Sequence, residues 1–482
     1  MILVNHMTKN KKENRKYIFV VGGVISGVGK GITSSSLGLI LKNRGLSVTA
    51  IKIDPYINVD AGTMNPTEHG EVFVLSDGDE TDQDMGNYER FLDIKLTKVN
   101  YMTTGRVYQS VIEAERNLEY KGKCVEVVPH IPIEVIGRIK KAGENAKADV
   151  VIIEIGGTIG EYQMFCNVTP ERIISAPDVD SIYDIPLNFE KENLSSKMCE
   201  ILNIQNKKPD NKLWSKWKTF AKHAHNGKET VKIAVIGKYF ETGDFVLSDS
   251  YLSVIEAIKY SSYAQNRKPI ISWLNAVDFE KDKSKLNDLK KYDGIIVPGG
   301  FGSRGVEGKL NVVKYARENK IPYFGLCYGM QMVVIEYARN VLGLTDANTT
   351  EVNPKTKSPV VDIMESQKEN LINHRYGGNM RLGEYKAVLA DKSIAREAYK
   401  AKEVIERHRH RYEVNNTYIN NLEKAGLVFS GKSPDGLLME IAELPKVVHP
   451  FFLGAQFHPE FLAHPLAPHP LFTAFVKACI KK

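Results

Sequence analysis

The sequence predicts an α/β protein of two domains, the first built around a parallel sheet covered on both faces and the second on a fresh α/β pattern. Three observations carry this. Near-continuous apolar runs alternate with helix-like stretches from Tyr17 to about Asn188, as strands buried on two faces require. A polar, lysine-rich stretch from Glu190 to Thr230 then interrupts the pattern. The run Val231-Lys232-Ile233-Ala234-Val235-Ile236-Gly237 restarts it.

Taken in order, residues 1–16 are too short in their apolar part, and then too basic, for a secretory signal. They are expected to be a disordered leader. Tyr17 to Val21 reads as the first strand, Ser47 to Ile53 as the second and Asp149 to Ile155 as the third. These belong to a first domain over 17–189. Residues 190–230 read as a linker bearing one amphipathic helix, and 231–482 as the second domain. There a helix around Ser250 to Tyr260 and a strand Gly294 to Val297 precede extended runs at Gly436 to Ile441 and Phe451 to Gln456. A chain of 482 residues has room for two or three cores. With 43% hydrophobic and 26% charged residues it has an ordinary soluble composition. No window reaches the about eighteen apolar residues of a membrane helix. The net charge of +7 forms no basic stripe with interleaved aromatics, which argues against nucleic acid as a partner. Five cysteines (Cys124, Cys166, Cys199, Cys327, Cys479) are odd in number and lack metal-ligand spacing. They point to reducing cytoplasm rather than a disulfide framework.

Two motifs carry chemistry. Gly22 to Gly31, G-G-V-I-S-G-V-G-K-G, follows the first strand and opens a helix. That is a Rossmann-like, P-loop-type arrangement, in which free N–H groups and the helix dipole attract phosphate. Lys30 would reach the outer phosphates. The pattern is imperfect, because Gly31 stands where a Ser or Thr would hold magnesium and Thr33 lies two positions on. Asp82, Asp84 and Glu154 are candidate magnesium carboxylates. Far downstream, Cys327 sits in G-L-C-Y-G-M-Q between a strand and a helix. His458 can take its proton and Glu460 can orient the imidazole. Gly299-Gly300-Phe301-Gly302 would supply oxyanion donors. A nucleotide site and an amide-cleaving thiol in one chain imply an acceptor activated by ATP and then aminated.

Longer runs make the resemblance specific. Asp54 to Thr63, Glu68 to Val74, Gly86 to Phe91 and Glu154 to Thr158 resemble the CTP synthase family, an amidoligase domain joined to a class I glutamine amidotransferase domain. The resemblance implies that UTP is phosphorylated by ATP on its 4-oxygen and that ammonia from glutamine displaces the phosphate, giving CTP. It implies a tunnel for the ammonia. By position it assigns Ser26, Glu161, Tyr162 and Gln163 to UTP or CTP. It assigns Gly27, Val28, Gly29, Lys30, Gly31, Ile32, Asp84, Asp178 and Val179 to ATP, with Lys52 near the phosphates. Magnesium falls to Asp84 and Glu154. Glutamine falls to Gly300, Tyr328, Gly329, Met330, Gln331, Glu351 and Arg411, with Cys327, His458 and Glu460 catalytic. Tyr328 stands where the family often has leucine, and Glu161-Tyr162-Gln163 where it often has Asp-Ile-Glu. Gly302 to Gly308 resembles the family's mobile lid, which answers to GTP. The family forms homotetramers in the cytoplasm.

One departure is large. Between Gln163 and Met164 the family carries roughly seventy to eighty further residues, enough for more than two βαβ units. They include a Lys-Thr-Lys-Pro-Thr-Gln motif that binds UTP phosphates and helps form the subunit interface. Without them Glu154-Ile155 and the strand-like Arg172 to Ser175 lack a normal parallel crossover, and apolar sheet surface is expected to be uncovered. An omitted segment, a faulty gene and a genuine short variant are all open. So is a catalytically impaired subunit with an assembly or regulatory role, retaining at most glutaminase activity.

Overall fold

The structure is a computed structural model and describes residues 15–21, 29–156, 179–204, 209–227, 229–237, 241–242, 245–246, 248–363 and 380–480. In chain order the first elements are β1 (Lys16–Val20), α1 (Lys30–Asn43), β2 (Val48–Asp54), α2 (Pro66–His69), β3 (Phe73–Val74), β4 (Glu80–Thr81) and α3 (Asp84–Leu92). Then come β5 (Tyr101–Thr103), α4 (Thr104–Arg116), α5 (Val127–Asn145), β6 (Val150–Ile155), α6 (Ile185–Lys191), α7 (Leu194–Ile201) and α8 (Asn211–Asn226). The first strand begins at Lys16, so the expected leader is one residue too long at its end.

The chain forms two compact units, residues 1–59 with 87–218, and residues 60–86 with 219–482. The first holds a parallel sheet in the order β1-β6-β2-β5. Alternation along the central strands explains its two covered faces. Val48, Val150 and Ile152 pack with Leu41 of α1 and Cys199 of α7. Ile51, Val151 and Ile153 pack with Val107 of α4 and Ile139 and Ala142 of α5. Each fully buried Val or Ile contributes about 1.5–3 kcal/mol, so the sheet interior is the stable part of this unit. The edge strand β1 leaves Phe19 56% exposed. Arg172 to Ser175 lies outside the described residues.

The second unit continues with β7 (Glu229–Gly237), β8 (Glu241–Thr242), β9 (Phe245–Val246), α9 (Leu252–Tyr263), β10 (Arg267–Asn275), α10 (Ala276–Lys281), β11 (Gly294–Val297), α11 (Val306–Glu318), β12 (Tyr323–Leu326) and α12 (Tyr328–Asn340). After them come β13 (Ala347–Thr349), β14 (Ser358–Ile363), β15 (Arg381–Leu389), α13 (Ile394–Tyr399), β16 (Glu403–His410), β17 (Tyr412–Val414), α14 (Asn416–Lys424), β18 (Val428–Lys432), β19 (Met439–Glu443), β20 (Phe452–Ala455) and α15 (Pro470–Ile480). Nine strands form one sheet in the order β10-β7-β11-β12-β20-β19-β18-β15-β16. The first five run parallel and the rest pair antiparallel. The extended runs expected at Gly436 to Ile441 and Phe451 to Gln456 coincide in part with β19 and β20, which pair antiparallel with each other.

Residues 60–86 are first-domain sequence by the reading above, yet they are counted with the second unit. Ionic and backbone ties explain this. The Glu71 carboxylate accepts from Ser253 N at 3.0 Å, at the start of α9. Arg407 Nη1 donates to the Val74 carbonyl at 3.1 Å, and Glu384 N to the Ser76 carbonyl at 3.1 Å. Phe73 meets Phe461 edge-on at 5.1 Å.

Candidate active site

Three parallel strands end together at the site. The turn after β11 carries Gly299 and Gly300, β12 runs into Cys327, and β20 leads to His458. Ligands collect at the carboxyl ends of strands in open α/β sheets. Cys327 has φ 48° and ψ −97°, a backbone state that costs about 1–3 kcal/mol and persists only where packing imposes it. The imposition is visible. A Cβ on Gly329 would lie 2.1 Å from the Val297 carbonyl oxygen, and one on Gly299 would lie 2.8 Å from His458 Cε1. Gly329 of the G-x-C-x-G frame and Gly299 therefore bring helix, strand and imidazole closer than any side chain would allow.

Cys327, His458 and Glu460 are buried together. His458 Nδ1 pairs with Glu460 Oε1 at 2.8 Å, and its ring stacks on Phe461 at 5.1 Å. Burial would lower the His458 pKa, but the Glu460 carboxylate and Cys327 outweigh it and push it up to about 10. The imidazole thus holds its proton through neutral pH, opposite the sulfur. Gln456 Nε2 also approaches Cys327 Sγ, at 3.6 Å. No motif in the sequence singled Gln456 out, and its place two residues before His458 was the available signal.

A cavity of about 470 Å³ opens at the sulfur. Gly300, Tyr328, Gln331, Glu351 and Arg411 line it, as the sequence reading expects of glutamine ligands. Gly329 and Met330 do not. Met330 is buried in the core and Gly329 lies against Val297. Glu351 Oε1 accepts from Gly302 N at 2.7 Å, and Tyr328 donates its hydroxyl to the Gly302 carbonyl at 3.0 Å. The start of the lid-like stretch is thereby held from both sides. Gln331 Nε2 donates to the Tyr412 carbonyl at 3.1 Å. Burial lowers the Arg411 pKa, and the nearby Glu80 carboxylate opposes it. Gly62, Glu71 and Arg409 also line the cavity, although spacing gave no reason to place them there.

Behind the wall lies a buried ionic cluster. Arg381 reaches Glu413 at 3.1 Å and Glu440 at 2.6 Å, and His410 Nε2 reaches Glu413 at 2.7 Å. Burial outweighs Arg381 and raises Glu440 to about 7. It also holds His408 well below its ordinary value.

At the front, Gly29 takes φ 74° at the start of α1, a left-handed state suited to glycine. Lys30, Gly31 and Ile32 form the first turn. Ser26, Gly27, Val28, Glu161, Tyr162, Gln163 and Asp178 lie outside the described residues. Val179 is described and half-buried. In the first unit, Lys52 Nζ pairs with Glu154 Oε1 at 2.9 Å and stands 4.0 Å from Asp54 Oδ1. Tyr88 donates its hydroxyl to the other Glu154 oxygen. This buried Lys52–Glu154 ion pair adds little net stability. In the second unit, Asp84 opens α3, with its N–H donating to Asp82 Oδ1 at 2.8 Å. Among the described residues no three His, Cys, Asp or Glu side chains form a ready metal cluster. Taken separately, the carboxylate oxygens of Asp84 and of Glu154 are hard donors of the kind magnesium takes.

Comparison with known proteins completes the picture. Residues 16–164 match the family described as CTP synthase N-terminus, and residues 246–478 match glutamine amidotransferase class-I. A CTP synthase of Bacillus licheniformis is 43% identical over 543 aligned positions, spanning 97% of this chain and 99% of that protein. One from Nostoc punctiforme is 41% identical over 541 positions, spanning 96% and 97%. The solved glutaminase domain of Trypanosoma brucei CTPS with bound acivicin is 40% identical. It covers 52% of this chain and 95% of its own, with a TM-score of 0.48. Both alignments with the bacterial proteins exceed the 482 residues of this chain, so those relatives carry residues that it lacks.

Proposed function

The chain belongs to the CTP synthase family and converts UTP to CTP with ATP and glutamine-derived nitrogen, and we propose the following residue roles for that reaction. The observation that carries them is the buried Cys327–His458–Glu460 constellation at a cavity of about 470 Å³. Near-complete coverage of full-length CTP synthases favours the enzyme over an assembly subunit.

Cys327 Sγ attacks the carboxamide carbon of glutamine. The oxyanion is met by N–H groups of the Gly299–Gly302 turn and of the first turn of α12. His458 gives its proton to the departing nitrogen, ammonia leaves, and a thioester to Cys327 remains. Water, losing its proton to His458, then releases glutamate. Glu460 keeps the imidazole oriented and favours its charged form. Gly300, Gln331, Glu351 and Arg411 hold the amino-acid end of glutamine, and Tyr328, Gly329 and Met330 set the turn beneath it.

At the front, Gly27 to Ile32, Asp178 and Val179 hold ATP. Ser26, Glu161, Tyr162 and Gln163 hold UTP or CTP. Lys52 draws the transferred phosphate toward the UTP 4-oxygen. Asp84 and Glu154 would hold magnesium, which neutralises phosphate charge when bound. We assign the family's response to GTP to Gly302 to Gly308, whose first residue is tied to Glu351 and Tyr328 at the cavity. Self-association, as a tetramer, is supported by the exposed apolar residues Ile112, Val127, Ile133 and Ile136 on α4 and α5. A cytoplasmic site is supported by the free thiols of Cys124, Cys199 and Cys327.

Cys327→Ala tests the central assignment. Glutamine-driven CTP formation is expected to vanish while ammonia-driven formation persists. Survival of both at equal rates refutes the nucleophile.

A further inference from the structure

Glu80 is remote in sequence from Cys327 but stands beside the glutamine cavity. It is buried, and its Oε1 accepts from Arg409 Nε at 2.8 Å. A Cβ on Gly62 would lie 2.2 Å from its Oε2. The carboxylate is thus caged between a glycine and an arginine that both line the cavity. The Arg409 carbonyl lies 3.8 Å from Cys327 Sγ, within reach of a weak S–H contact, and the next two residues, His410 and Arg411, line the cavity as well. An ion pair at this depth gains little net stability but permits one geometry only.

We propose that Glu80 is a positioning residue for the glutamine site, fixing Arg409 and through it the backbone that presents Arg411. It touches no reacting atom. The proposal rests on the glutamine role given to this cavity above.

Glu80→Gln keeps the shape and removes the charge. Glutamate release, ammonia-driven CTP formation and melting temperature are measured on the full chain. A shift of the wall by an ångström predicts a rise in KM for glutamine of about ten- to a hundredfold, with kcat and the ammonia-driven rate unchanged. Glu80→Asp falls between wild type and Glu80→Gln. Arg409→Gln gives the same KM shift, and the double variant is no worse than either single one. An unchanged KM, a parallel loss of the ammonia-driven rate, or additive losses in the double variant overturns the proposal. Should Glu80→Gln fail to fold, Arg409→Lys carries the same KM test. If the wild-type chain makes no CTP, the nucleotide assignments fail, while glutamate release still decides on Glu80.

Discussion

Removing the carboxylate behind His458 gives the sharpest test of the rear site. The His458 pKa stands at about 10, against an ordinary value of 6.5, although the ring is wholly buried. That difference corresponds to about 5 kcal/mol in favour of the imidazolium. It is supplied by Glu460 and Cys327 against the cost of burial. Glu460→Gln preserves the 2.8 Å contact to Nδ1 but deletes its charge. With about half of the electrostatic support gone, glutamine-driven kcat/KM is expected to fall roughly a hundredfold, within the range of a lost acid–base partner. The alkaline limb of its pH profile should move from about 10 toward neutral. The assay is glutamate release across pH 6 to 11 (about half-unit steps suffice to place the limb), with ammonia-driven CTP formation in parallel. Unchanged glutamate release, or an unmoved alkaline limb, refutes the reasoning.

Two further outcomes follow from the same geometry. Gly299→Ala would drive a Cβ to 2.8 Å from His458 Cε1, so the imidazole must shift. Glutamate release should drop by about tenfold or more while the ammonia-driven rate holds. Glu440→Gln addresses stability. The folded pKa of about 7 lies above the ordinary 4.5, so Glu440 supports the fold fully below about 4.5 and loses that support as pH rises through 7. The difference amounts to up to about 3 kcal/mol. Urea unfolding of the two proteins at pH 4.5, 6 and 8 (about the span of the two pKa values) should show this decline in wild type and its loss in the variant. Parallel pH curves would contradict it.

What the sequence disclosed and what it hid divide along a physical line. Cys327, Gly299 and His458 follow the ends of apolar strands, and the chemistry of a strand end is written in adjacent residues. Glu351 and Arg411 are assigned by position from the family resemblance, not from a local pattern. Gly62, Glu71, Glu80 and Arg409 were missed because their roles depend on pairing between segments hundreds of residues apart in sequence. No local period or spacing encodes such a pairing.

The grouping of residues 60–86 with the glutaminase half has a mechanical consequence. A segment tied by Glu71, the Val74 and Ser76 carbonyls and Glu80 cannot slide without disturbing β15 and β16. Those strands carry Arg381 and the run from Glu406 to His410, and so the buried cluster behind the cavity. Ionic ties among desolvated groups are intolerant of small displacements, because a carboxylate left without its partner in the interior costs several kcal/mol. Hydrophobic contacts alone would have let the segment settle in several nearby positions. The charged residues around Cys327 therefore act first as a jig. They add little to stability, but they leave the thiol, the imidazole and the glutamine ligands one arrangement in which to meet.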